Sequence, residues 1–155
     1  MKYRRLGLEE LDLLKDEFIQ FLVVNGFVPT EWEQLKKDNS AAVDVWIEQF
    51  SDIVIEKALK NITYLEFREP NQLLFFKCSE AEIELASIRS EGIDLMALSM
   101  SRLNTGLLNL EGITVLYKSK PYKPNREEEV FRMVQSGALI TDGKLFETLK
   151  HLVRK

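Results

Sequence analysis

Four carboxylates follow one another at steps of four residues, at positions Asp44, Glu48, Asp52 and Glu56. In a helix these side chains share one face, where like charges repel by roughly 0.2–0.5 kcal/mol per pair. Such a face binds a basic partner, or it supplies oxygen ligands to a metal ion. The histidine that helical-bundle metal sites combine with carboxylates is missing from this pattern. An all-carboxylate Mg²⁺ or Ca²⁺ site is a further alternative, but the usual Asp-rich loop with glycine is absent, and we predict no metal site.

Two interpretations of this acidic face stay open. It is either a docking surface for a basic partner or a solvated face with compensating cations nearby. The candidates for those cations are Lys57 and Lys60 on the same predicted helix, and Arg4 and Arg5 near the N-terminus.

Cations are interleaved with tyrosines in a basic segment that comprises Tyr117, Lys118, Lys120, Tyr122, Lys123 and Arg126. This composition binds phosphates while the rings stack on bases, and a helix beginning at Asn125 adds free N–H groups. Three glutamates, Glu127 to Glu129, already occupy the start of that helix, which weakens its attraction for anions. A site for a small anionic ligand or nucleic acid is therefore one hypothesis, and a charged surface loop is the other.

Histidine and cysteine, which carry much of enzyme chemistry, occur once each, as His151 and Cys78. His151 lies among lysines and arginines near the C-terminus, and Cys78 ends an apolar run. The chain contains no Walker loop and no Gly-x-Gly-x-x-Gly, Gly-x-Ser-x-Gly or His-Glu-x-x-His motif. We predict no catalytic residue and no cofactor. A non-enzymatic protein is favoured over a hydrolase built on carboxylates from separate elements.

The elements that must position these groups begin with helices. Apolar residues recur every three or four positions from Leu8 and predict one helix that stops at Asn25–Gly26. A short second helix is predicted with Thr30 as its cap. A third begins at Ser40, ends at Asn61 and carries the acidic face.

The pattern then changes to the alternation that is typical of strands. Residues 62–69, 73–78 and 82–89 predict a meander of three antiparallel strands, and residues 112–118 predict a fourth. The apolar residues of 94–104 fit a helix or a strand, and we favour a strand or an irregular segment.

Two further helices complete the chain, the first capped by Asn125 and running to Gln135, the second capped by Thr141 or Asp142. The sequence therefore predicts an α+β fold. It consists of N-terminal helices, a small antiparallel sheet of about four strands, and two C-terminal helices.

The composition is that of one globular domain spanning residues 1–155, with 45% hydrophobic and 30% charged residues. No apolar stretch approaches the roughly 20 residues that span a bilayer, so we expect no membrane insertion. The lone cysteine, and a basic N-terminus that leads into no apolar signal core, predict a cytoplasmic location.

The net charge of −4 is distributed unevenly along the chain. Residues 8–60 carry 12 acids and five bases, whereas residues 112–126 carry four bases and no acid. This asymmetry favours electrostatic docking within or between molecules. Nucleic-acid binding is not favoured, because proteins that bind nucleic acid are usually basic overall.

Several segments together suggest a family: Met1–Leu6, Phe18–Gly26, Phe50–Asp52 and Thr141–Phe146. With its MKYRRL-type N-terminus, the whole chain resembles a small uncharacterised bacterial protein family. The resemblance implies a soluble cytoplasmic bacterial protein, and it implies no activity, cofactor or site residue.

The hypothesis that follows is a non-enzymatic protein that acts by protein–protein contact and self-associates as a homo-oligomer. Its complementary surfaces would be the acidic face and the basic segment. The alternative is a small anionic-ligand or nucleic-acid binder that uses the basic segment.

Overall fold

Helices dominate the N-terminal part of the chain, and strands begin after residue 60. A computed structural model describes residues 1–96, 100–103 and 106–153. The helices of this described part are α1 (Leu8–Leu13), α2 (Lys15–Val24), α3 (Pro29–Asp38), α4 (Ser40–Lys60), α5 (Met100–Leu103), α6 (Arg126–Gln135) and α7 (Lys144–Val153). Its strands are β1 (Tyr64–Glu69), β2 (Gln72–Cys78), β3 (Glu82–Ser90), β4 (Ile113–Pro121) and β5 (Leu139–Thr141).

The predicted α+β class is confirmed. The sheet has five strands within the described part of the chain, where about four were expected. The chain divides into two compact units, Met1–Ala58 and Leu59–Lys155. The expectation of a single domain over residues 1–155 stays a prediction. No helix of the described residues has the length and apolar character needed to cross a membrane.

The first unit departs from the predicted helix boundaries at two places. The helix expected to be continuous from Leu8 breaks at Leu14, whose ψ of 22° lies outside the helical range. The second helix begins at Pro29 rather than after Thr30, because proline suits the first helical position. Glu31 then caps this helix by accepting a hydrogen bond from the Val28 N–H at 3.3 Å.

Aromatic rings fill the interior of the first unit. The ring of Phe18 lies 4.9 Å from that of Phe50 and 5.4 Å from that of Trp32, measured between centroids. Phe27 contacts Trp46 edge to face at 5.1 Å. Tilted and edge-to-face pairs of this kind contribute about 0.5–1.5 kcal/mol each beyond the burial of their area.

The second unit is built on an antiparallel sheet with strand order β4-β3-β2-β1-β5. The predicted meander of β1, β2 and β3 is confirmed, with Leu65 opposite Phe76 and Phe75 opposite Ala86. Helix α7 covers one face of this sheet and buries Phe146 and Leu149 in its core. Other members of that core are Leu73, Phe75, Ala86, Ile88, Leu95 and Leu107.

The sequence did not predict β5, whose residues were assigned to a connection between two helices. This strand pairs antiparallel with the first half of β1, with Thr141 opposite Tyr64. Three residues are too few to show an alternating pattern, and the partner strand is distant in sequence.

The expectation of a strand or irregular segment over residues 94–104 falls partly outside the described residues, which omit 97–99 and 104–105. Residues 94–96 form no strand, and Met100–Leu103 form one helical turn. A 3₁₀ turn follows at Leu107–Asn109.

We predict that Gly143→Ala destabilises the protein more than Gly137→Ala does. Both glycines have positive φ, 79° and 103°, but only at Gly143 would an added Cβ overlap a neighbouring side chain, the Tyr64 ring. The expected losses of unfolding free energy are roughly 2–4 kcal/mol for Gly143 and about 1 kcal/mol for Gly137. Urea denaturation measures both values, and equal losses would contradict the predicted contact.

Candidate functional site

The predicted acidic face on α4 is covered by the N-terminal segment of the same unit. The Asp52 carboxylate accepts hydrogen bonds from the backbone N–H groups of Lys2 (2.7 Å) and Tyr3 (3.1 Å). Glu56 accepts from the Lys2 ammonium at 3.1 Å. Arg5 pairs with Asp44 at 2.9 Å.

The same segment is anchored by apolar burial as well as by charge. Leu6 is buried, and its backbone N–H donates to the Ser51 hydroxyl at 3.0 Å. The Ser51 hydroxyl in turn donates to the Ile47 carbonyl at 2.7 Å. Because Ser51 has no exposed surface, breaking these bonds would leave polar groups unsatisfied in the interior.

Of the cations expected to compensate the acidic face, Arg5 lies on it and Arg4 does not. Arg4 instead donates to Glu10 from both terminal guanidinium nitrogens, Nη1 and Nη2, each at 2.9 Å. The hydrogen bonds from Arg4 and from the Gly7 N–H lower the pKa of Glu10 to about 2. Asp44 and Glu56 are in ion pairs with Arg5 and Lys2, and Asp52 accepts backbone hydrogen bonds from the same segment. A basic partner would therefore have to displace this segment to reach these three carboxylates.

Within the basic segment, Arg126 binds backbone carbonyls. Its guanidinium donates to the carbonyl oxygens of Leu59 (2.9 Å), Ile62, Cys78 (3.1 Å) and Ser79 (3.3 Å). Leu59 lies in the last turn of α4, where carbonyls lack partners within the helix. Arg126 therefore serves the fold and is not free to bind an anion.

Other members of the basic segment also have partners within the second unit. Lys120 pairs with the buried Glu129 at 2.8 Å, and the Tyr122 hydroxyl donates to the Ser79 carbonyl at 2.5 Å. Burial by itself raises the pKa of Glu129, but hydrogen bonds from Lys120 and from the Lys123 N–H outweigh it and lower the pKa. The ammonium groups of Lys118 and Lys123 remain without a partner among the described residues.

Tyr117 belongs to a polar network between the sheet and α7 that the sequence did not predict. Its hydroxyl and the Lys150 ammonium both donate to Glu84, the latter at 2.6 Å. In the same network, Glu147 accepts from the Tyr64 hydroxyl at 2.7 Å and from Lys77 at 3.0 Å. The antiparallel register of β2 and β3 places Lys77 opposite Glu84. Lys150 and Glu147 join the network because α7 packs against the sheet.

The pKa shifts of Glu84 and Lys150 favour the charged form of both groups. Burial raises the pKa of Glu84, yet hydrogen bonds from Lys150 and Tyr117 lower it overall. The hydrogen bond to Glu84 raises the pKa of Lys150. Both shifts lead away from neutrality, whereas a general acid or base has a pKa near the working pH. These groups are therefore fixed charges that stabilise the sheet–helix contact.

Cys78 and His151 do not form a reactive pair. Cys78 is buried, and the burial raises the pKa of its thiol to about 11, so the nucleophilic thiolate is scarce at neutral pH. His151 is exposed on α7. No cluster of three His, Cys, Asp or Glu side chains suited to a metal ion occurs within the described ranges.

The first unit contains an apolar groove of about 380 Å³ along α1, α2 and α3. The rings of Phe18, Phe27 and Trp32 line it. Aliphatic side chains that are about half exposed or more also line the groove: Leu8 (84% exposed), Ile19, Val23 and Val28.

Charged side chains stand among the groove residues in a balanced set, which we call the rim: Asp12, Lys15, Glu33 and Lys36. Glu33 and Lys36 form an ion pair of 3.0 Å on α3. The sequence did not predict the groove, because its apolar residues from Leu8 to Asn25 were interpreted only as the periodic pattern of one helix. The available signal was the surplus of apolar residues outside that pattern, at Ile19, Val23 and Val28.

We predict that Arg126→Gln lowers the unfolding free energy by roughly 2–4 kcal/mol, because buried carbonyls lose a charged donor. Lys123→Gln is the matched control, since its side chain is exposed and it removes the same charge from the same segment. Chemical denaturation of both variants checks this. A loss for Lys123→Gln as large as that for Arg126→Gln would contradict the structural role of Arg126.

We predict that stability declines below pH 4.5, partly through Glu84. Its pKa is lowered from 4.5 in the folded state, so its stabilisation is complete above the unfolded pKa and is lost as pH falls through the folded pKa. Melting temperatures measured from pH 7 to pH 3 should fall less steeply below pH 4.5 in Glu84→Gln than in the wild type. Parallel curves would exclude this linkage.

Comparison with known proteins gives a family without an assigned activity. No curated protein and no solved structure shows a significant match to this chain. The expected resemblance to an uncharacterised family is confirmed. A family model described as the family of unknown function DUF6495 matches residues 1–154, and the chain belongs to this family.

Proposed function

We propose that this protein is a non-enzymatic protein–protein interaction module whose contact surface is the apolar groove on α1, α2 and α3. The observation that carries the proposal is the concentration of exposed aliphatic side chains around an aromatic-lined groove. Single exposed apolar residues are normal on protein surfaces, but a contiguous apolar patch is typical of interaction sites.

The groove suits an apolar surface of another protein. Helices commonly bind in such grooves by inserting side chains spaced three or four residues apart. Complete burial of an aliphatic side chain contributes roughly 1.5–3 kcal/mol, and association costs roughly 4–15 kcal/mol. Ile19, Val23 and Val28 are already about half buried, so these three side chains and Leu8 together contribute roughly 3–7 kcal/mol, which lies in the lower part of the range of that cost. We therefore expect a complex that forms and dissociates reversibly.

The acidic face and the basic segment, which the sequence favoured as contact surfaces, have fewer groups available to bind a partner. Asp44, Asp52 and Glu56 are bound by the N-terminal segment, and Lys120 and Arg126 are bound within the second unit. A groove whose apolar residues are exposed needs no such displacement. This difference supports the groove over the pairing of acidic face with basic segment.

The alternative, a small anionic-ligand or nucleic-acid site at residues 117–126, stays a prediction. Among its described members, Lys118 and Lys123 are the cations without an ion pair. Two exposed lysines on a strand and a loop offer little selectivity for a phosphate, because selective sites combine several fixed donors.

We also propose a cytoplasmic location in a bacterial cell. The support is the single cysteine, which is buried as a thiol, as is usual in a reducing compartment. The bacterial origin rests on the resemblance of the N-terminal MKYRRL segment to an uncharacterised bacterial family.

Site-specific photo-crosslinking in cells that express the protein natively tests the groove. Benzoylphenylalanine replaces Val23, which lines the groove, or Val24, an exposed neighbour outside it. We expect one defined protein adduct from position 23 and none from position 24, because only the groove contacts a partner. The adduct is identified by mass spectrometry.

Equal adducts from both positions would indicate non-specific collision and contradict the proposal. The absence of any adduct from position 23 would also contradict it. Circular dichroism of both variants checks that the helices are intact.

A further inference from the structure

We propose that the partner in the groove is a second copy of this chain, related to the first by a two-fold axis. This inference rests on the proposed function, because it names the partner of the same surface. It goes further by predicting that one surface supplies both sides of the contact.

The first argument is the charge of the rim. Asp12 and Lys15 lie on the side of α1 and α2, and Glu33 and Lys36 lie on the side of α3. Each side therefore carries one acid and one base. A strongly acidic or strongly basic partner would leave like charges facing each other on both sides. A second copy also carries one acid and one base on each side, so neither side of the groove faces an excess of one sign of charge.

The second argument is that the rim is neutral although the chain is acidic overall. The chain has a net charge of −4, and residues 8–60 carry 12 acids against five bases. Two of those five bases, Lys15 and Lys36, lie on the rim. Two copies repel each other at long range when both are acidic. A neutral rim places the contact where that repulsion is smallest.

The third argument is that the surface combines the groove with side chains that protrude beside it. Leu8 is 84% exposed at the groove, and Ile19, Val23 and Val28 are about half exposed around it. A two-fold contact uses the same patch on both copies, so side chains that protrude from one copy can enter the groove of the other. An interface of this kind needs no segment from outside the described first unit.

Reversing the charges on the rim tests the two-fold contact. The test does not require the pairs of residues in contact to be known. One full-length variant has an acidic rim, Lys15→Glu with Lys36→Glu, and the other has a basic rim, Asp12→Lys with Glu33→Lys. Sedimentation equilibrium and native mass spectrometry measure dimer formation at low salt for the wild type, for each variant and for an equimolar mixture.

We expect the wild type to form a dimer whose population rises with concentration. Each variant alone should show a dissociation constant at least about tenfold higher, because like charges then face each other. The mixture should form a heterodimer at least as tight as the wild-type dimer. The differences should shrink at high salt, where charges are screened.

A matched pair of variants controls for net charge. Lys37→Glu with Lys57→Glu, and Asp16→Lys with Glu17→Lys, change the net charge equally at exposed positions that do not line the groove. Neither control should alter the dissociation constant as the rim variants do, and their mixture should gain no heterodimer preference.

The outcomes separate this inference from the proposed function. A monomeric wild type with a position-23 adduct to a different protein overturns the second copy as partner and leaves the interaction module standing. A monomeric wild type with no position-23 adduct overturns both. A dimer that the rim variants leave unchanged, or a mixture without restored affinity, overturns the two-fold contact through the groove.

Discussion

The second unit depends on one constraint, which is that buried backbone carbonyls must have donors. The Arg126 guanidinium meets it for Leu59 and Ile62, which precede β1, and for Cys78 and Ser79 at the end of β2. Arg126 is also the first residue of α6. One side chain thus links the entry to the sheet, a turn between strands and the start of a helix. A planar group with five donors suits this arrangement, and a single ammonium does not.

Most of the ionisable groups that could have formed a site are likewise bound by other groups of the same chain. Lys120 and the Lys123 N–H hold Glu129 in its charged form, and Lys150 and Tyr117 do the same for Glu84. In the first unit, residues 2–5 occupy the acidic face of α4. These charges are bound by other segments of the chain and contribute little to binding another molecule. The interaction that we propose therefore uses apolar surface, and the groove on α1, α2 and α3 is one place where such surface is exposed.

Elements with a long periodic pattern could be predicted, and those set by a few residues or by distant partners could not. The pattern of β1 to β3 predicted their meander, and Asn125 was correctly identified as the cap that accepts from the Glu128 N–H. The break at Leu14 lies inside an unbroken apolar pattern. Strand β5 exists because three residues meet the first half of β1, and no local signal reports such a contact.

The sequence by itself determined the α+β class, the order of the longer helices and of strands β1 to β4, and the acidic face of α4 with its need for nearby cations. These follow from periodicity and charge spacing, which are local properties of the chain. The tertiary structure decided that Arg5 meets this face while Arg4 binds Glu10. It also decided that Arg126 serves the backbone and that apolar residues such as Val23 stay exposed. Those outcomes depend on which residues, distant in sequence, pack against one another in the folded chain. A local pattern carries no information about such contacts.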